Sequence, residues 1–258
     1  MRKIYCFDLD NTLLSRENKI VPKNTIKLLK KIKEDPNNIL ILATGRRPAE
    51  IKIIADIEHF FDYLVFLNGA IIIHQGMVIY RSLIDNKDIK KMINKAFINN
   101  LSFGLTSFDE EFIINIKEQA SLRWDLPNGY QTINENFIPI NHEIFQTWLL
   151  ESKREIIDDF ISEFKNFRTY YWHQGGAHFV YKNVNKAAAV LLIKERYPDS
   201  FLIAAGDGHN DIEMIDIADV GIAMGNSSNE ELKEKANLIA PLIDDDLLYD
   251  FFQKNKLI

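Results

Sequence analysis

Ile4-Tyr5-Cys6-Phe7 is a short apolar run that breaks at once into Asp8-Leu9-Asp10-Asn11-Thr12. Such a run reads as a fully buried strand. In extended chain, residues two apart point the same way. Asp8 and Asp10 are therefore expected in one small region at the carboxyl end of that strand. Two like charges so close raise the pKa of at least one of them unless a cation compensates. Paired acids in different environments can keep one group ionised and the other protonated. On this reading Asp8 is a nucleophile and metal ligand, and Asp10 a general acid and then a general base. The competing reading makes the pair the start of a surface turn, with Asn11 and Thr12 as turn and cap residues. The rest of the chain decides between them.

Outward from this strand, the pattern predicts a helix over 21–33 with Pro22 near its first turn. A second buried strand, Ile39-Leu40-Ile41-Leu42-Ala43, ends in Thr44-Gly45-Arg46-Arg47-Pro48. A helix over 49–57 is expected next, then a third strand, Leu64-Val65-Phe66-Leu67, ending in Asn68-Gly69-Ala70. Strand and helix in alternation predict a parallel sheet with crossover helices. Ligands of open α/β sheets bind at the carboxyl ends of the strands, so the three polar clusters should share one crevice.

The rhythm then changes. Ile71-Ile72-Ile73 and Val78-Ile79-Tyr80 around Gln75-Gly76 predict a hairpin. Residues 83–180 are richer in aromatics and read as an inserted α+β domain, with helices near 88–99 and 155–164 and strands near 112–116 and 178–181. The core is expected in two parts, 1–82 and 181–258. The α/β pattern returns at Asn185-Lys186 with a helix that Pro198 ends, then a strand, Phe201-Leu202-Ile203-Ala204-Ala205. That strand runs into Gly206-Asp207-Gly208-His209-Asn210-Asp211. A helix through Met214, a strand from Val220, a helix over 230–236, a strand at 238–240 and a helix over 246–254 complete the reading.

The 258-residue chain is long enough for a substantial core. Its 47% hydrophobic and 26% charged residues are those of an ordinary soluble globular protein. A net charge of −6 argues against nonspecific nucleic-acid binding, which needs a basic face. One cysteine, Cys6, excludes an intrachain disulfide and a cysteine-rich metal site, and reads as a small core residue. No apolar run approaches a membrane span, and the short run before Asp8 is too brief for a signal peptide. A cytoplasmic protein is expected.

Three further clusters carry chemistry. Thr44 precedes Gly45, whose missing Cβ lets a backbone N–H approach an anion. The Thr44 hydroxyl can donate to a phosphoryl oxygen or cap the next helix. Arg46 and Arg47 read either as substrate contacts or as solvated charges. Lys186, between a strand and a helix, can offset Asp8 and a bound phosphate. Asp207 and Asp211 close a buried strand between glycines. With Asp8 they form a hard oxygen site suited to Mg²⁺. No glutamate stands where a calcium loop needs one, and His209 has no second histidine at ligand spacing, so it reads as a turn residue.

In this order, Asp8-Leu9-Asp10-Asn11-Thr12, Thr44-Gly45-Arg46, Lys186 and Gly206-Asp207-Gly208-His209-Asn210-Asp211 resemble the haloacid dehalogenase (HAD) superfamily of phosphohydrolases. The insert between Thr44 and Lys186, Asn68-Gly69-Ala70, Ala223-Met224-Gly225-Asn226 and Pro241 to Asp246 resemble its Cof-type sugar-phosphatase-like subfamily. The resemblance spans the whole chain, by motif in the core and by placement in the insert. It implies a Rossmann-like core with a large α+β cap. It also implies Mg²⁺-dependent hydrolysis of small phosphate monoesters, sugar phosphates among them, through an aspartyl-phosphate. By position, it makes Asp8 nucleophile and ligand, and Asp10 acid/base with its carbonyl on Mg²⁺. The Leu9 amide, Thr44, the Gly45 amide, Lys186 and Asn210 hold phosphate. Asp207 is a direct ligand, and Asp211 a supporting acid or a ligand through water. Two positions depart: Ala187 and Asn11 stand where the family often has glycine, though asparagine tolerates unusual backbone angles. The cap should exclude water and meet the leaving group; Arg123, Trp124, Asp125, Tyr171, Trp172, His173 and His178 are its candidates. The resemblance leans towards a monomer.

Three rivals are weighed. A phosphosugar mutase of the same superfamily would release no net phosphate. A receiver-like regulatory domain would be about half this length and lack the insert. A non-catalytic phospho-ligand-binding protein would be expected to have lost a motif residue, and none is missing.

Overall fold

A computed structural model describes residues 1–15, 17–116, 129–172 and 175–258. The elements run β1 (Lys3–Phe7), α1 (Lys23–Lys33), β2 (Ile39–Ala43), β3 (Tyr63–Phe66), β4 (Ile71–His74) and β5 (Met77–Arg81). They continue with α2 (Asn86–Ile98), β6 (Ser102–Thr106), β7 (Glu111–Ile114), β8 (Gln131–Thr132) and β9 (Gln146–Leu150). Then come α3 (Arg154–Ser162), β10 (Phe167–Tyr171), β11 (Ala177–Tyr181), α4 (Lys186–Lys194) and β12 (Phe201–Gly206). The chain closes with α5 (Ile212–Asp216), β13 (Val220–Met224), α6 (Glu230–Lys235), β14 (Leu238–Ala240) and α7 (Leu248–Lys254). Two compact units result. One comprises Met1–Arg46, Glu50–Tyr80 and Asn185–Ile258; the other comprises Arg47–Ala49 and Arg81–Val184.

The first unit is built on an eight-stranded sheet in the order β14-β13-β12-β1-β2-β3-β4-β5. From β14 to β3 all neighbours are parallel, and β4 pairs antiparallel with β3. Side chains alternate between the faces. Tyr5 and Phe7 enter one core layer with Leu40, Leu42 and Ile203; Ile4 and Cys6 enter the other with Ile41, Ala43 and Leu202. This two-sided burial makes the strands continuously apolar. The chain leaves β1 for a neighbour on one side and later returns to its other side, at β12. The strand order therefore reverses at β1, which is where such sheets open a ligand crevice.

The second unit has a six-stranded sheet in the order β10-β11-β9-β6-β7-β8, antiparallel except for β7 with β8. Ile89, Met92, Ile93 and Ala96 of α2, with Ile157 and Phe160 of α3, pack against Phe103, Leu105, Phe112, Leu149 and Phe179. Ile113, Trp148 and Leu150 cluster with Trp172 among the alternate residues.

Several expectations shift. The helix expected over 49–57 is instead a 3-10 stretch, Pro48–Ile54, and a turn, with a second 3-10 stretch, Glu58–Phe60, beyond it. Ile51, Ile53, Ile54 and Ile57 are β-branched and lose side-chain freedom in an α-helix. Leu67 leaves the third strand for a turn, Leu67–Gly69, in which Asn68 has φ 57°. The last helix starts after Asp246, whose φ of 51° ends a preceding turn. The strands β6, β9 and β10 were not anticipated. Among the described residues, no helix is long and apolar enough to cross a membrane.

Candidate active site

Asp8, Thr44 and Asp207 each stand one residue beyond the ends of three adjacent strands, β1, β2 and β12. The ladders carry on into them: the Asp8 N–H donates to the Ala205 carbonyl at 2.9 Å, and the Thr44 N–H to that of Val65 at 2.9 Å. Strand geometry alone thus places their side chains at one edge.

Lys186 opens α4 behind Asn185, whose side chain accepts from the Ala188 N–H at 2.7 Å as a helix cap. Gly69 makes this placement possible. At φ 104°, a Cβ there would lie 2.2 Å from the Asn185 carbonyl oxygen, so only glycine lets the 67–69 turn pack against the base of α4. Lys186 is wholly buried, and its ammonium donates to Asp8 Oδ1 at 2.5 Å and to Asp211 Oδ1 at 2.6 Å. The other Asp211 oxygen accepts from the Asp207 and Gly208 N–H groups at 3.1 and 2.9 Å. Gly206 leaves the room, since a Cβ there would come within 2.5 Å of the Asp211 carboxyl carbon.

Carboxylate oxygens of Asp8, Asp207 and Asp211 all lie within 4.8 Å of one another. Three acids against one ammonium leave an excess of negative charge, and hard oxygen donors suit Mg²⁺. Both Asp211 oxygens already accept from protein donors, whereas Asp8 and Asp207 each keep a second oxygen for an ion. The residues fit a divalent cation held chiefly by Asp8 and Asp207.

Burial pushes the Asp8 carboxyl well above the usual carboxylate range; Lys186 opposes this, and Asp211, Asp207 and lastly Asp10 add to it. Desolvation therefore outweighs the Asp8–Asp10 repulsion that the spacing suggested. Burial, reinforced by Asp211, raises Asp207 to about 7, against the Asn11 amide and Lys186. Burial alone would push the Lys186 ammonium down; Asp211 and Asp8 outweigh it and hold it above its ordinary value.

Asp10 faces a different partner. Arg46 clamps it with both arms of its guanidinium, Nε to Oδ2 at 2.8 Å and Nη2 to Oδ1 at 2.7 Å. The hydrogen bond to Asp10 holds that guanidinium above its ordinary pKa. Of the two arginines weighed as substrate contacts, Arg46 belongs to Asp10. Arg47 falls in the second unit, where its Nη1 donates to the Asp109 carbonyl at 2.7 Å. The clamp was not foreseen, because a bidentate pair needs two loops brought face to face.

Thr44 is buried, and its hydroxyl accepts from the Arg46 N–H at 3.1 Å, a tight turn ahead of the 3-10 stretch Pro48–Ile54 rather than a cap on it. Asn210 donates to Asn68 Oδ1 at 2.8 Å, and a Cβ on Gly45 would lie 3.2 Å from that oxygen. Thr44, Gly45, Asn68 and Asn210 therefore form one polar wall. Leu9 is buried in the core, and its carbonyl accepts from the Leu13 and Leu14 N–H groups at 3.0 and 2.8 Å. Asn11 donates to Asp207 Oδ2 at 3.1 Å, a contact that nothing in the spacing signals. His209 lies in a 3-10 turn, His209–Asp211, as expected. Of the cap candidates, Arg123, Trp124, Asp125 and His173 lie outside the described residues. Tyr171 is held at its hydroxyl by Asp158 and under Arg154, whose guanidinium carbon is 4.0 Å from the ring centroid.

The haloacid dehalogenase-like hydrolase family matches residues 5–252. YkrA of Bacillus subtilis (strain 168) is 27% identical over 259 residues, covering 95% of this chain and 94% of its own. The 5-amino-6-(5-phospho-D-ribitylamino)uracil phosphatase YcsE of the same organism is 25% identical, covering 92% of this chain and 89% of its own. Among solved structures, the HAD subclass IIB sugar phosphatase BT4131 shares the fold with a TM-score of 0.88 at 23% identity, over 99% of this chain and 100% of that one.

Proposed function

The chain belongs to the haloacid dehalogenase-like hydrolases, and from that premise we propose that it is a Mg²⁺-dependent phosphatase of small phosphorylated metabolites, sugar phosphates foremost. The observation that carries this reading is the buried Lys186 ammonium, 2.5 Å from Asp8 and 2.6 Å from Asp211, beside Asp207 where two adjacent parallel strands end. It supports a pocket built for the charge of a phosphoryl group and a cation together. Phosphoryl transfer needs positioning and neutralisation above all.

Lys186 offsets the charge of Asp8, whose carboxylate attacks phosphorus. The ester P–O bond breaks as the Asp8–P bond forms, and Asp10, protonated from solvent on the oxygen that Arg46 releases, gives that proton to the departing oxygen. Asp10 then takes a proton from a water that attacks the aspartyl-phosphate, which releases inorganic phosphate and restores Asp8. Arg46 grips both Asp10 oxygens in the resting arrangement, so one of them must be released when substrate arrives. Lys186, the Thr44 hydroxyl, Asn210 and the Leu9 and Gly45 amides hold the phosphoryl oxygens. Mg²⁺, held by Asp8, Asp207 and the Asp10 carbonyl with Asp211 in support, would neutralise charge on the transferring group. The second unit serves as the cap that selects the leaving group; the activity of YcsE and the fold shared with BT4131 support small phosphorylated molecules as the class.

The test is inorganic phosphate release from a panel of sugar phosphates, nucleotides and pyridoxal phosphate, with Mg²⁺ or a chelator. Release that needs Mg²⁺ supports the proposal. Isomerised phosphosugar without net release would replace it with a mutase.

A further inference from the structure

The turn after β13, Gly225-Asn226-Ser227, takes no part in the chemistry above, yet it reaches two sides of the acidic cluster. Asn226 Nδ2 donates to the Asn11 carbonyl at 2.9 Å, and its Oδ1 accepts from the Ile243 N–H at 3.0 Å. Ser227 Oγ, buried, donates to the Asp207 carbonyl at 2.5 Å. Asn11 itself has φ 60° and donates from Nδ2 to Asp207 Oδ2 at 3.1 Å. The links close a loop: Ile243 holds Asn226, Asn226 holds the Asn11 backbone, the Asn11 amide holds the Asp207 carboxylate, and Ser227 holds the Asp207 backbone. Gly225 keeps the turn close, since a Cβ there would lie 2.7 Å from the Ala240 carbonyl oxygen.

We propose that Asn11 is a positioning residue for Asp207, locked by Asn226, and that the pair sets the affinity of the site for a divalent cation. An Asp carboxylate close to two others, Asp8 and Asp211, is driven by repulsion to rotate away when no cation is present. The Asn11 amide grips Oδ2 and keeps the other oxygen turned towards the cluster. A left-handed backbone with an amide side chain is needed to reach Asp207 from the Asp10–Thr12 turn, and asparagine supplies both. Outer partners that orient ligating carboxylates change metal affinity by about 10–100-fold when removed.

The inference rests on the proposed hydrolase reading, which gives Asp207 a cation to hold. Mg²⁺ alone is titrated by calorimetry into wild type, Asn11→Gly and Asn226→Asp, and each protein is melted in chelator. Asn11→Gly keeps the positive φ and deletes the grip. Asn226→Asp keeps the acceptor for Ile243 and turns the donor facing the Asn11 carbonyl into a repelling oxygen. The expected result is a Mg²⁺ Kd raised about tenfold or more in both, with chelator melting temperatures close to wild type. An unchanged Kd in a folded Asn11→Gly protein overturns the inference and leaves the phosphatase reading intact. So does a lower melting temperature in chelator with unchanged Kd, which would make the ring merely structural. Wild type that binds no Mg²⁺ overturns both, and its phosphate release without metal would identify the Mg²⁺ step as the error.

Discussion

The two units bury charge in opposite ways. In the first, Asp8, Asp207 and Asp211 crowd about one ammonium, and negative charge is left over. In the second, buried Glu111 accepts from two neutral donors, Thr106 Oγ1 and Trp148 Nε1, each at 3.0 Å, with the Arg47 guanidinium 3.9 Å away. Burial also pushes His178 down to about 3, so its imidazole is neutral. Polar groups inside a fold are normally satisfied where they stand. The second unit satisfies the Glu111 carboxylate from its own donors. The first stores an imbalance that a bound cation or a proton would relieve, and buried charge without a full partner set is costly. This difference is the physical mark of the site.

Breaking the imbalance at its centre should have the largest effect. Asp8→Asn should lower phosphate release by at least about 10³-fold, as loss of a covalent nucleophile does, with thermal stability preserved; near-normal turnover would remove Asp8 as nucleophile. Lys186→Met leaves Asp8 and Asp211 facing each other without their cation. About 3–5 kcal/mol of stability should go, read by urea unfolding, and Mg²⁺ should restore part of it. A smaller effect is expected in the second unit. Gly104 lies opposite Trp148 in register, and a Cβ there would fall 2.0 Å from the indole. Gly104→Ala should cost about 1–3 kcal/mol through overpacking, seen as a shift in tryptophan fluorescence on unfolding, with no change in Mg²⁺ affinity.

The smallest effects are in pH, and they run in opposite directions. Asp207 is raised from 3.8 to about 7. Its contribution to stability is whole below the ordinary carboxylate value and is lost as pH rises through about 7. In chelator, the first unit should therefore melt lower at high pH than at low, and Mg²⁺ should abolish the difference. His178 is lowered from 6.5 to about 3. Its contribution is present above the ordinary imidazole value and is lost as pH falls from there towards about 3. His178→Gln should flatten that acid limb alone. A high-pH limb that moves together with the acid limb in His178→Gln would erase the contrast between the units.

The legible parts of the chain were those decided locally. Ile39-Leu40-Ile41-Leu42-Ala43 and Phe201 to Ala205 could be little else than strands buried on both faces, and the polar residues that end them had to meet at one edge of a parallel sheet. The insert was harder to read. Ser102-Phe103-Gly104-Leu105-Thr106 places its glycine opposite Trp148 of the neighbouring strand, where a Cβ would meet the indole, a non-local contact that period and propensity do not register. The 3-10 stretch Pro48–Ile54 was missed for a similar reason: helical spacing says which residues share a face, not whether β-branched crowding lets the turns relax.

By itself, then, the order of residues determined the strand–helix rhythm, the insert, and the carboxylates, threonine and lysine that gather where adjacent strands end. Tertiary structure alone decided which partner each of them received. Arg46 went to Asp10 and Arg47 to Asp109; both Asp211 oxygens were taken by Lys186 and backbone N–H groups, and Asn11 was turned onto Asp207. The reason is that a strand delivers a side chain to an edge through its own backbone geometry, whereas a hydrogen bond is settled by whatever other loops bring within about 3 Å.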